Sequence, residues 1–359
     1  MKIALIYLGR RGSGGPFSLE LGRALAQRAD LSVTLSAGLE SLPAWAGSPF
    51  PVQTVPTFDG PLAAAGSLLF PASIQALVRQ LRAWGPDVLL FPMAHPWNAA
   101  LQKALAPIPS VIFVHDPRPH PGLAGWLHSR VENPSLAAAA QAIVLSQALA
   151  PELERRGVPG ERITVAPHGL LTYPRPPAAS QEAPSLLFFG RIAPYKGLEV
   201  LLAAFEQLSA RRPGLRLRIV GEGSLAPYRR QLARLKNIDI HNGWLEEEKI
   251  PAVFGQASLL VLPYTSASQS GVLALAAGFS LPVVATHTGG LPEQIRSGET
   301  GLLVTPGSVN ELAAAIDSLL ADPALAARLG AALRSDFEQQ RSWKSIADKV
   351  LHACQHCLA

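Results

Sequence analysis

The sequence predicts an α/β protein of two doubly wound domains, and three observations carry that prediction. Its strand-like segments are continuous apolar runs without polar alternation, as expected of strands covered on both faces. These runs alternate with segments of helical spacing, the pattern of a parallel sheet flanked by helices. At 359 residues, 48% of them hydrophobic and only 16% charged, the chain exceeds one ordinary domain and suits two, each with its own core.

Taken in order, Met1 to Leu8 reads as a first strand, followed by a loop from Gly9 to Gly15 with four glycines and two arginines. Pro16 to Gln27 is an amphipathic helix. The runs ending at His95 (from Phe91) and at His115 (from Val111) are strands whose ends carry polar groups, which is where an open sheet places its functional side chains. Ile163 to Pro167 leads into His168-Gly169. A proline-rich stretch, 171–184, is the expected linker, stiffened by its prolines. Residues 1–170 form the first domain, 185–335 the second, and 336–359 a closing helix anchored by Trp343.

In the second half, Ser185 to Phe189, Ile219 to Gly223, Ser258 to Pro263, Leu281 to Thr286 and Gly301 to Val304 read as strands. Helical segments fall between them, at Leu198 to Phe205, Ala226 to Leu235, Lys249 to Gly255, Gly271 to Ala277 and Val309 to Leu320. The glycine-bearing turns follow the strands, so they converge on the crevice outside the carboxyl ends.

The stretch Phe189-Gly190-Arg191-Ile192-Ala193-Pro194-Tyr195-Lys196-Gly197 is the most informative. It sets two cations, Arg191 and Lys196, in a tight turn between a strand end and a helix N-terminus. That combination makes an anion site, and two cations suit a diphosphate. Taken alone, the pair is also what a surface Arg and Lys beside an ordinary turn would look like.

Six motifs in register resemble a retaining glycosyltransferase of family 4, with the GT-B architecture of two Rossmann-like domains facing each other across a cleft. They are Gly190-Arg191 with Lys196-Gly197, Gly221-Glu222-Gly223, Gly243-Trp244-Leu245, Gln269-Ser270-Gly271-Val272, Thr288 to Glu293, and Gly298 to Val304. The resemblance implies that Arg191 and Lys196 grip the donor diphosphate and stabilise the charge on the leaving group. It implies that Gly190, Glu222 and the backbone around Leu245 meet the nucleotide. Gln269, Ser270, Gly271 and Val272 would offer side-chain groups and backbone N–H donors to the sugar and phosphates. Gly14 and Gly15 resemble a glycine loop that closes over the phosphates, or make a structural turn. His115 is implied to be catalytic, with Asp116, His95 and Arg118 on the acceptor side. No metal and no cofactor are implied: the nucleotide sugar, with UDP or GDP as its nucleotide, is a substrate.

One departure stands out. The family's usual Glu, seven residues, Glu pattern falls here on Ala267 and Leu275, so both carboxylates are missing. The chain resembles a branch with Gln-Ser-Gly-Val in that loop. A catalytically inactive sugar-nucleotide-binding partner, or a sugar-nucleotide epimerase of the same fold, therefore stands as an alternative to a transferase.

The rest narrows the class. The net charge of +5 suits an anionic donor and permits peripheral contact with the inner face of a membrane, where a lipid-linked acceptor would lie. A glycan is the other expected acceptor. No basic–aromatic patch suggests nucleic acid. The apolar stretches at Leu136 to Ala150 and Gly271 to Thr286 are interrupted and short for a membrane span, and the first apolar run is short for a signal-peptide core. A cytoplasmic protein is expected. The two cysteines, Cys354 and Cys357, beside His352 and His356, make an incomplete zinc or redox motif and read as incidental.

Overall fold

A computed structural model of the protein describes residues 1–58, 72–117, 123–174 and 183–358. Its contacts divide it into two compact units, Met1–His168 with Trp343–Ala359, and Gly169–Ser342. Arg118 and most of the proline-rich stretch lie outside the described residues.

The first unit is a parallel sheet. Its strands are β1 (Lys2–Tyr7), β2 (Asp30–Ser36), β3 (Val52–Val55), β4 (Val88–Phe91), β5 (Ser110–Val114), β6 (Gln141–Val144) and β7 (Ile163–Val165), in the order β3-β2-β1-β4-β5-β6-β7. β1 shows why the runs are unbroken: Ile3, Leu5 and Tyr7 enter one core while Ala4, Ile6 and Leu8 enter another. Each of the Ile and Leu side chains among them contributes roughly 1.5–3 kcal/mol on burial.

Helices cover both faces. Gly14–Leu25 and Trp343–His356 share the first core through Phe17, Ile346, Ala347 and Val350. Ala72–Trp84 and Asn98–Leu105 share the second through Ile74, Leu77 and Leu101.

The second unit is a parallel sheet of β8 (Ser185–Phe189), β9 (Arg216–Gly221), β10 (Ile238–Asn242), β11 (Leu259–Leu262), β12 (Val283–Thr286) and β13 (Leu302–Val304), in the order β10-β9-β8-β11-β12-β13. Both sheets reverse strand order at one point, between β1 and β4 and between β8 and β11. Ligands of open α/β sheets sit outside the strand ends at such points.

Three local expectations are corrected. The first helix begins at Gly14, not Pro16, so Gly14 and Gly15 belong to its first turn. His95 does not end a strand: β4 stops at Phe91, and Pro92 and the following residues turn away. The closing helix expected from Asp336 is two helices, Pro323–Gln340 and Trp343–His356. Arg341 leaves the helical region (φ −127°, ψ 35°), with its guanidinium turned inward to Asp336 and to the carbonyl of Glu293.

Candidate functional site

The switch point of the second unit gathers the loops after β8 and β11. Glycine permits their close approach. Gly197 sits at φ 67°, and a Cβ there would lie 1.9 Å from the carbonyl oxygen of Pro263. Only a residue without a side chain fits both the conformation and the space. The Thr265 N–H donates to the Tyr195 carbonyl at 2.9 Å, stitching the two loops together.

Lys196 is thereby carried over the buried ring of Tyr264, its Nζ 3.7 Å from the ring centroid. A partly desolvated cation–π contact of this kind contributes about 0.5–2 kcal/mol and fixes the direction of the ammonium. Arg191 is exposed. Among the described residues neither cation has a carboxylate partner, so both charges remain available to a ligand.

The turn after β9 runs beside the turn after β8. The Ile192 N–H donates to the Glu222 carbonyl at 2.8 Å, and a Cβ on Gly221 would lie 1.8 Å from the Gly190 carbonyl oxygen. Gly221-Glu222-Gly223 is thus held by its backbone, and the Glu222 side chain is exposed. The Gly243 N–H donates to the Gly221 carbonyl at 3.1 Å, which brings half-buried Leu245 to the same edge of the sheet.

Opposite Arg191 and Lys196 stands the helix Gly271–Phe279, with Ser270 as its N-cap residue. Val272 Cγ2 lies 3.9 Å from where a Cβ on Gly190 would be, so the helix start abuts the cationic turn. N–H groups of a first helical turn attract anions.

Ser270 is 3% exposed, and its backbone is gripped by Gln294: the Ser270 N–H donates to Oε1 at 2.9 Å, and Nε2 donates to the Ser270 carbonyl at 3.2 Å. Its Oγ lies 3.3 Å from the Tyr264 hydroxyl. Gln269 Oε1 is buried without a hydrogen-bond partner among the described residues, an acceptor in need of a donor. Ala267 and Leu275, where carboxylates are usual, are both buried. Tyr264 and Gln294 escaped the sequence reading; the Pro263-Tyr264 strand end and the Pro292-Glu293-Gln294 turn were the only signals.

The corresponding loops of the first unit differ. The His115 Nε2–H donates to the Pro92 carbonyl at 2.8 Å, which fixes the tautomer and leaves Nδ1 as the acceptor. Burial lowers the His115 pKa, opposed by that hydrogen bond and by Glu132 and Asp116, so the ring is neutral near pH 7. His95 is 8% exposed, and burial lowers its pKa to about 4. Its Nδ1 accepts the Trp97 N–H at 3.2 Å, and its ring stacks on Phe58 at 5.2 Å.

Gly14 and Gly15 are buried. A Cβ on Gly14 would meet the Tyr7 hydroxyl at 2.7 Å, and one on Gly15 would meet Ser41 Oγ at 2.3 Å. Arg10 donates to the carbonyls of Gly38 and Phe58. At the C-terminal helix, burial raises the thiol pKa values of Cys354 and Cys357 to about 12 and 11, so both are protonated near neutral pH. No group of three or more His, Cys, Asp or Glu among the described residues is placed to hold a metal ion. No described helix is long and apolar enough to cross a membrane.

Known proteins resemble this chain in sequence and fold. The family described as Glycosyltransferase Family 4 matches residues 15–172, and the one described as Glycosyl transferases group 1 matches residues 183–322. Glycogen synthase of Mycobacterium tuberculosis is 31% identical over 281 residues, covering 74% of this chain and 68% of that protein. A GDP-mannose-dependent alpha-(1-6)-phosphatidylinositol monomannoside mannosyltransferase of the same organism is 30% identical over 179 residues, 47% of this chain and 46% of that one. Among solved structures, Anabaena HepE in complex with UDP-glucose superposes with a TM-score of 0.74 at 21% identity, covering 98% of this chain and 99% of HepE. With a relative of this identity and coverage, and a family match in each half, the chain belongs to the group 1, family 4 glycosyltransferases of GT-B fold.

Proposed function

We propose that this protein transfers a hexosyl group from a nucleoside-diphosphate sugar to a hydroxyl of a glycan or lipid-linked acceptor, with retention of configuration and without a metal ion. The carrying observation is the pair of unneutralised cations on the turn after β8, set against the N-terminus of the helix Gly271–Phe279. That arrangement suits a diphosphate, and the positive groups would take the part a divalent cation plays elsewhere. The donor base is uracil or guanine. HepE was crystallised with UDP-glucose, and the mannosyltransferase relative is named for GDP-mannose.

In this reading the bond between the anomeric carbon and the leaving phosphate oxygen breaks as Arg191 and Lys196 take up its charge. The acceptor oxygen bonds the anomeric carbon from the same face, and its proton passes to the departing phosphate. Gln269 Oε1 accepts a hydroxyl of the donor sugar in place of a carboxylate. Neutral His115 and its neighbour Asp116 orient the acceptor, and His95 and Arg118 serve the acceptor side with them. Gly14 and Gly15 support the donor side as the first turn of their helix, and Glu222 and Leu245 border the nucleotide. No cofactor is needed, the nucleotide sugar being a substrate.

Buried Ala267 and Leu275 favour a second reading, in which the chain binds a sugar nucleotide and serves another transferase. The test is thermal stabilisation of the purified protein by a panel of nucleoside diphosphates and sugar nucleotides. A ligand at 100 times its Kd adds about 2.7 kcal/mol. Stabilisation by a uridine or guanosine series, lost in Arg191→Ala, is expected, and release of nucleoside diphosphate in the presence of acceptor then separates the transferase from the binding partner. No stabilisation by any nucleotide would defeat both readings.

A further inference from the structure

We propose that Gln294 is a positioning residue for the donor site, holding the N-terminus of the helix Gly271–Phe279 at a set distance from Arg191 and Lys196. The inference deepens the glycosyltransferase reading and rests on it. Gln294 is 5% exposed, and both ends of its amide engage one residue, Ser270. The orientation of that amide is dictated by its partners, because the Ser270 N–H demands an acceptor and the Ser270 carbonyl a donor.

The grip is part of a seam. Gly289, at φ 55°, lets its backbone approach the Ala267 carbonyl so closely that a Cβ would stand 1.6 Å from the oxygen. The Gly290 N–H donates to the Ser268 carbonyl at 3.0 Å. From Ala267 to Ser270 the loop is therefore tied, backbone first, to the segment Gly289–Gln294.

The outer side of that segment is tied as well. Arg341 donates to the Glu293 carbonyl and pairs with buried Asp336, which also receives Arg296. Gln294 is the point at which this braced segment touches the helix that faces the cations.

The chemistry explains why a side-chain amide stands there. Ala267 and Leu275 give the loop no charged group through which a bound sugar could help order it, and Ser270 makes no side-chain cap to its own helix. The helix start is held from behind instead. Removing the amide leaves Ser270 with a buried N–H that lacks its acceptor, and the first-turn N–H groups lose their fixed direction.

The test compares wild type, Gln294→Leu and Gln294→Glu, each shown folded by circular dichroism at the temperature used. Dissociation constants for UDP, GDP and the corresponding monophosphates are measured by calorimetry. The leucine variant is expected to lose about tenfold in diphosphate affinity, the equivalent of about 1.4 kcal/mol or one hydrogen bond's net effect, while monophosphate affinity changes by less than about threefold. The near-isosteric glutamate keeps the packing and sets a carboxylate against the Ser270 carbonyl, so it should lose at least as much and carries the test if the leucine variant does not fold.

General loosening of the fold would weaken both nucleotide classes equally in the folded protein. That result, or wild-type diphosphate affinity in both variants, overturns the proposal. A wild-type protein that binds neither diphosphate defeats the donor reading first, and this role with it.

Discussion

The two units share sheet order and differ in what their strand ends do with charge. After β8, Arg191 and Lys196 face no described carboxylate, and Lys196 is held over an aromatic ring. In the other unit Arg10 is engaged by two carbonyls, and His95 and His115 are kept neutral by burial.

The glycines differ in the same way. Gly197, Gly221 and Gly289 allow a backbone to meet another carbonyl, whereas Gly14 and Gly15 make room for the Tyr7 and Ser41 side chains. One topology therefore carries cations without a described carboxylate partner at the strand ends of one unit and buried neutral histidines in the other.

The largest effect should come from removing the charge that separates them. Arg191→Ala and Lys196→Ala are each expected to lower kcat about 10²–10³-fold, the usual cost of deleting a group that stabilises transition-state charge. Arg10→Ala, whose guanidinium already serves two carbonyls, should lower the melting temperature while leaving kcat close to wild type. Steady-state rates with saturating donor decide the matter. Wild-type turnover in both Ala variants of the second unit would erase the contrast.

The neutral half makes a prediction in pH. His95 titrates at 6.5 when exposed and near 4 in the fold, so below pH 6.5 the unfolded chain binds more protons and stability falls with the pH. The penalty grows to about 3 kcal/mol by pH 4, with His115 acting in the same direction. In His95→Asn the side-chain oxygen still accepts the Trp97 N–H, but nothing titrates. Urea melts at pH 7 and pH 4.5 should show the variant losing less stability on acidification than wild type. Equal losses would mean that His95 is protonated in the fold without penalty.

The contrast was only partly legible in the sequence. Runs such as Leu259–Leu262 announced buried parallel strands because both faces of the sheet demand apolar side chains. β10 went unread because it lies at a sheet edge, where Asp239, His241 and Asn242 are exposed and break the run. Arg191, Lys196 and Gly197 could be read because their chemistry is local to one turn. Tyr264 and Gln294 could not: a tyrosine at a strand end and a glutamine after Pro-Glu are ordinary residues until folding sets them against Lys196 and Ser270. His95 misled in the opposite sense, since it was placed on a strand end when its ring in fact secures a turn, whereas His115 does follow the end of β5.

The smallest and most discriminating effect concerns how Lys196 is aimed. Tyr264 is 1% exposed, so its ring is a fixed floor beneath the ammonium before any ligand arrives. Tyr264→Phe keeps that floor and removes only the long contact from its hydroxyl to Ser270 Oγ at 3.3 Å. Tyr264→Leu removes the floor and leaves Lys196 only its more distant aromatic contact, the Tyr195 ring at 5.2 Å. Donor KM should rise about 2–30-fold in the leucine variant, corresponding to a contact of about 0.5–2 kcal/mol, and stay close to wild type in the phenylalanine variant. The cavity left by leucine would lower the melting temperature whatever the lysine does, so KM and thermal stability must be read separately. If phenylalanine and leucine weaken the donor equally, Lys196 is aimed by the Tyr264–Ser270 hydrogen bond instead of the ring, and the second unit would then hold its cation through the same seam that holds its helix.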